Sequence, residues 1–109
     1  MLYLYQNSII SNLKSYGQKD KNLHQIIIYG SYARNEHGPE SDIDVLIITD
    51  NIPESEKYFS KFRSNTYIET SVMISFFYLT PYQYTNGKEP FVNQIKKEGK
   101  IIWSINKKI

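Results

Sequence analysis

Two short stretches carry the side chains best suited to chemistry at a phosphate. Gly30-Ser31 ends one apolar run, and ten residues later Asp42-Ile43-Asp44 opens another. Ahead of Gly30, Gln25-Ile26-Ile27-Ile28-Tyr29 is rich in β-branched residues and reads as a buried strand; behind it, Ser31-Tyr32-Ala33-Arg34 is free to open a helical turn. Backbone N–H groups at the head of such a turn point at an anion. A glycine there lets the main chain approach closely, and the Ser31 hydroxyl adds a donor. Turns also favour Gly and Ser for conformational reasons alone, so this half of the pattern gains its weight from the other half.

Alternate residues of a strand share a face, which points Asp42 and Asp44 the same way and Ile43 into the core. Two carboxylates that close repel each other unless a cation lies between them. Hard oxygen ligands of this kind suit Mg²⁺, which also takes the phosphate oxygens of a nucleotide. A solvated loop holding two acids is the plainer reading of an isolated Asp-x-Asp. Here the acids stand at the mouth of an apolar strand that follows a strand ending in Gly-Ser, and the spacing suggests a nucleotide-transfer site.

The elements that must position these residues follow from periodicity and punctuation. Leu2, Tyr5, Ile9, Leu13 and Tyr16 recur at helical steps, with Gly17 as a stop. Gly17 to Asn22 is a polar connection, and Asn35 to Ser41, with His37-Gly38-Pro39, is a loop whose length sets the geometry of the site. After Asp50, Pro53 can occupy the first turn of a helix carrying Tyr58, Phe59 and Phe62. Tyr67 to Leu79 reads as an extended run. Thr80-Pro81-Tyr82-Gln83 has the form of a capping box with proline at the first helical position, and Asn86-Gly87 ends that short helix. Phe91 and Ile95 mark a last helix closed by Gly99, and Lys100 to Ser104 reads as a final strand. The sum is an α/β unit, a small mixed sheet flanked by helices.

Length and composition bound the rest. A chain of 109 residues is expected to form one domain over 1–109. Its net charge of +2 is too small to suggest nucleic acid as a direct ligand, and Lys96, Lys97, Lys100, Lys107 and Lys108 read as a solvated face. The ten tyrosines fall where packing explains them. With no cysteine, neither a disulfide framework nor a thiolate metal site can form, which fits a cytoplasmic protein. No signal peptide and no membrane-spanning stretch is evident, so no membrane is expected as a partner.

Gly30-Ser31, ten residues and Asp42-x-Asp44 together resemble the motif of the nucleotidyltransferase superfamily that includes DNA polymerase β. Leu79-Thr80-Pro81, Pro90-Phe91 and Lys97-Glu98-Gly99-Lys100-Ile101-Ile102-Trp103 extend the likeness to its small branch, the minimal nucleotidyltransferases (MNT). That resemblance implies a nucleotidyltransferase fold, with ATP as substrate and Mg²⁺ held by Asp42 and Asp44. It also implies nucleotide contacts from Gly30 and Ser31, to which Arg34, one turn on, could add a grip on phosphate. It further implies an antitoxin that transfers AMP to a hydroxyl of a HEPN-type RNase toxin, the two forming a hetero-oligomer. The chain is expected to lack the helical domain with which larger relatives hold their acceptor, so the acceptor would be held by another subunit or bring its own surface.

Active relatives carry a third carboxylate on the strand beside the acid pair. The only acid in the Tyr67 to Leu79 run is Glu69, which shares a strand face with Ser71 and Met73 and could reach the site from the strand's start. Counted back from Thr80-Pro81, the family's acid falls nearer Ser71 or Met73. Without Glu69, metal binding rests on Asp42 and Asp44. Two further readings stay open: an antitoxin that acts by binding alone, and the catalytic subunit of a two-chain small-molecule or RNA nucleotidyltransferase. His37 could meet the base or acceptor from its loop, and His24 is expected at a strand edge without a role.

Overall fold

The computed structural model describes residues 2–34, 36 and 42–105, with residues 2–6 described through their backbone. Most of the loop between the two motifs, His37 included, therefore lies outside the described residues, as do Lys107, Lys108 and the side chains of Leu2 and Tyr5.

Eight elements follow one another: α1 (Leu2–Gly17), β1 (Leu23–Tyr29), β2 (Ile43–Thr49), α2 (Ile52–Thr70), β3 (Ile74–Leu79), α3 (Pro81–Asn86), α4 (Pro90–Glu98) and β4 (Lys100–Ser104). The strands form one sheet in the order β3-β2-β1-β4. β1 runs antiparallel to both β2 and β4, whereas β2 and β3, joined across α2, are parallel. The sheet is mixed, with helices on both faces.

Alternation along the two central strands divides the core. Ile26, Ile28, Ile43, Val45 and Ile47 point to one face, where Ile9 and Leu13 of α1 and Phe59 of α2 bury them. Ile27, Leu46 and Ile48 point to the other, against Ile95 of α4. The first face is sealed by an aromatic layer. Tyr16 stacks on Tyr58 at 4.3 Å, and each hydroxyl donates to the other residue's carbonyl, at 2.6 and 2.8 Å.

The helix starts are written locally. Asn51 caps α2 by accepting from the Glu54 N–H, with Pro53 in the first turn; Thr80 and Gln83 form a reciprocal capping box ahead of Pro81. At the far end of β2, the hydroxyls of Thr49 and Ser55 lie 2.6 Å apart, and Ser55 donates to Asp20 at 2.6 Å, tying that strand to the α1–β1 connection. Among the described residues no helix is long and apolar enough to cross a membrane.

One boundary differs from expectation. Residues Tyr67 to Thr70 belong to α2 and not to the following strand, which starts only at Ile74. Their β-branched and aromatic side chains favour extended backbone, yet the helix continues. Thr70 donates to the Thr66 carbonyl at 2.7 Å, and Ser71, in the left-handed region at φ 64°, donates its N–H back to the Tyr67 carbonyl. The helix's own hydrogen bonds and its left-handed cap outweigh local preference here.

Candidate active site

β1 ends where the chain must turn sharply, and Gly30 provides the turn with φ +77°. The turn closes on itself, since the Gly30 carbonyl accepts from Arg34 N–H at 3.1 Å, as in one turn of α-helix, and the Ser31 carbonyl from Glu36 N–H, five residues on, at 2.9 Å. Gly30 is required for a second reason: a Cβ there would collide with the Asp44 carboxylate. The turn and the acid thus pack directly on each other.

Asp44 lies in β2 opposite Tyr29 of β1, and Asp42 comes just before that strand. Ile43 between them is fully buried on the helix-covered face, so Asp44 belongs to the other one. Its carboxyl is held above the ordinary carboxylate range, first by burial and then by the charge of Asp42, while Arg34 pulls it back down. Two carboxylates this close are hard-oxygen ligands of the kind that suits Mg²⁺.

Arg34 is committed on two sides, donating from Nε to Glu36 at 2.9 Å and from Nη1 to Glu98 of α4 at 3.0 Å. Its charge still acts on Asp44, so it stands at the edge of the site rather than away from it. His24 sits at the opposite end of β1, 2.8 Å from Asp50.

The placement of Glu69 on a strand beside the acid pair does not hold. Glu69 lies in the last turn of α2 and lines a cavity of about 310 Å³ with Asn12, Tyr16, Phe62, Asn65 and Thr70, between the two helices that cover the first face. Asp44 is on the other side of the sheet. Register makes Ser75 the β3 neighbour of Asp44, and Met73, whose carbonyl accepts from the Ile43 N–H at 3.0 Å, precedes it. Neither is acidic, and among the described residues no group of three potential metal ligands occurs.

Two site residues escape sequence reasoning. Tyr29 pairs with Asp44, and burial together with that charge pushes its hydroxyl up to about 12. Phe91 of α4 then bridges Tyr29 and Phe77, edge to face at 5.6 and 5.1 Å. The strand before Gly30 could have pointed to Tyr29 once β1 and β2 were taken as antiparallel neighbours. Nothing local signals Phe91.

Comparison with known proteins accords with this geometry. The model of the polymerase beta nucleotidyltransferase family matches residues 11–108. A protein of Methanocaldococcus jannaschii, provisionally named a protein adenylyltransferase, is 32% identical over 84 residues, covering 74% of this chain and 79% of its own. A crystal structure of a nucleotidyltransferase, so named provisionally, from Sulfolobus solfataricus superposes with a TM-score of 0.62 at 18% identity, over 97% of this chain and 89% of that one. A toxin–antitoxin structure with AMP-PNP superposes at 0.59 and 19% identity, over 93% and 74% of the two chains. A tri-AMPylated Shewanella oneidensis HEPN toxin in complex with its MNT antitoxin gives 0.53 and 20% identity, over 98% and 76%. The structural likenesses carry the fold; family model and sequence relative carry the kinship, and the chain belongs to the polymerase β nucleotidyltransferase family, a family of transferases.

Proposed function

We propose that the protein transfers AMP from ATP, with Mg²⁺, to a hydroxyl of a partner protein, and that the partner is a HEPN-type toxin which the modification neutralises. The observation that carries the reading is the packing of Asp44 on the Gly30 turn with the charge of Asp42 beside it. The M. jannaschii relative's name and the AMPylated toxin in the Shewanella complex support the reaction and the class of partner. ATP as substrate fits a cytoplasmic site of action.

Gly30 and Ser31 hold the outer phosphates through the close approach of the main chain that the glycine allows and the Ser31 hydroxyl, and Arg34 adds positive charge at the turn's far end. Asp42 and Asp44 would hold Mg²⁺, which when bound neutralises phosphate charge and aligns the triphosphate. The acceptor hydroxyl attacks the α-phosphorus, its oxygen forming the new P–O bond as the bond to pyrophosphate breaks and its proton passes to solvent. Positioning and charge neutralisation supply most of the rate. Ser75, the β3 neighbour of Asp44, brings no carboxylate to take that proton.

The same feature favours a second reading, an antitoxin that acts by binding alone. Label transfer from α-phosphate-labelled ATP separates the two, comparing the protein with Asp42→Ala/Asp44→Ala in the presence of its partner. Label on the partner only with the acids intact is the expected result. No transfer, together with full neutralisation by the double variant, would establish masking instead.

A further inference from the structure

On the face of the sheet that carries Asp44, a cleft of about 420 Å³ opens between β3 and the two short helices, floored by Phe77, Leu79 and Val92 and walled by Phe91 and Tyr82. Phe77 and Phe91 keep 41% and 43% of their surface exposed, so the aromatic floor is uncovered. Register ties it to the acid pair: Ser75 neighbours Asp44, and Phe77 lies two residues further along the same strand face. Strand rise and spacing place Phe77 roughly 8 Å from Asp44, the reach of a ribose and its base.

The rim offers specific hydrogen bonds. Gln83 spends its Oε1 on the Thr80 N–H at 2.9 Å, which leaves its amide nitrogen as a donor. Asn86 spends its amide nitrogen on the Tyr82 carbonyl at 3.1 Å, which leaves its Oδ1 as an acceptor. Both line the cleft, and so does the Glu89 carboxylate, a second acceptor. A flat ring presenting an amino group beside an unprotonated ring nitrogen matches this set, as adenine does with N6 and N1 and cytosine with N4 and N3. The keto oxygen of guanine would face the carboxylate.

We infer that this cleft is the nucleobase site and that Phe77, Phe91, Gln83, Asn86 and Glu89 select adenine over guanine. The inference rests on the proposed nucleotidyl transfer. With the outer phosphates at the turn after β1 and the α-phosphate over the acids that lead β2, the strand order carries the nucleoside on towards β3. The ring lies on Phe77 against Phe91, as bases lie on aromatic side chains elsewhere.

Photolabelling of the full chain with 8-azido-ATP and Mg²⁺, followed by tryptic mapping, tests the location. Label on the peptides spanning 64–88 or 89–96 and competed away by ATP is expected; label confined to other peptides overturns the site. Calorimetric titration separates this failure from that of the function. Phe77→Ala should raise the dissociation constant for ATP roughly tenfold and Asn86→Leu roughly fivefold, with that for inorganic tripolyphosphate, which has no base, within about twofold of the unaltered protein. Equal weakening of both probes overturns the base site and leaves phosphate binding standing. Absence of binding by either probe to the unaltered protein overturns the nucleotide reading itself, and this inference with it.

Discussion

The two faces of the sheet are built to opposite ends. One is covered by the long helices α1 and α2, whose Ile9, Leu13 and Phe59 bury five residues of the central strands and whose Tyr16 and Tyr58 close the seam. The other carries two short helices that reach Ile27, Leu46 and Ile48 chiefly through Ile95, and leave Asp44, Ser75 and Phe77 within reach of solvent. Strand alternation makes the division possible, since each residue of β2 serves one face only. The sealed face supplies apolar burial, and the open face can then hold a carboxylate pair whose repulsion works against the fold.

The sharpest way to break this division is at Phe59. Fully buried and in ring contact with Tyr16, Tyr58 and Phe76, it cannot be truncated without leaving a cavity among packed aromatics. Phe59→Ala should cost about 3–5 kcal/mol in urea unfolding. A cost below about 1 kcal/mol would mean that the first face is not what holds the chain together.

Asp44 tests the open face. Burial and the charge of Asp42 raise its carboxyl, so the native state keeps the proton to a higher pH than the unfolded chain does. Between those two values the unfolded state binds fewer protons, and stability falls as pH rises through the window. Asp44→Asn keeps the shape and removes the charge. The melting temperature should therefore rise at neutral pH, and the gain should vanish in acid below the ordinary carboxylate range, where both states of the unaltered protein are protonated. AMP transfer should drop by at least about 100-fold in the same variant. A variant less stable than its parent at pH 7 would show that the acid pair does not work against the fold.

Much of this arrangement is written in short segments. Gly30, Ser31, Asp42 and Asp44 declare themselves because their chemistry is local: a turn at the end of one strand and alternation at the start of the next. The capping box at Thr80-Gln83 and the stop at Gly99 are local in the same sense. What stayed hidden depends on pairing across the chain. Tyr29 becomes a site residue only through its register with Asp44, and Phe91 only because α4 sets it against Tyr29 of β1 and Phe77 of β3. The end of α2 was obscured for a different reason. Tyr67, Ile68 and Thr70 carry strand-like side chains, Tyr67 and Ile68 face solvent, and the stop is a serine in the left-handed region, where glycine would have announced it.

Glu69 gives the smallest effect and the finest discrimination between the faces. The β2–α2–β3 crossover brings the end of α2 back to the end of the sheet where the acid pair stands, so distance along the strand direction does not separate them. The sheet itself does. Glu69 opens into the cavity between α1 and α2, above the sealed face, while Asp44 lies on the open one. A carboxylate so placed is expected neither to touch the α-phosphate nor to feel the pair through a shared cation. Glu69→Gln should therefore leave AMP transfer and unfolding free energy within about twofold and about 0.5 kcal/mol of the unaltered protein. A loss beyond tenfold in transfer, with stability unchanged, would mean that the last turn of α2 unwinds towards β3 in the working complex and delivers the third carboxylate after all. The two faces would then share the catalytic task that the resting fold divides.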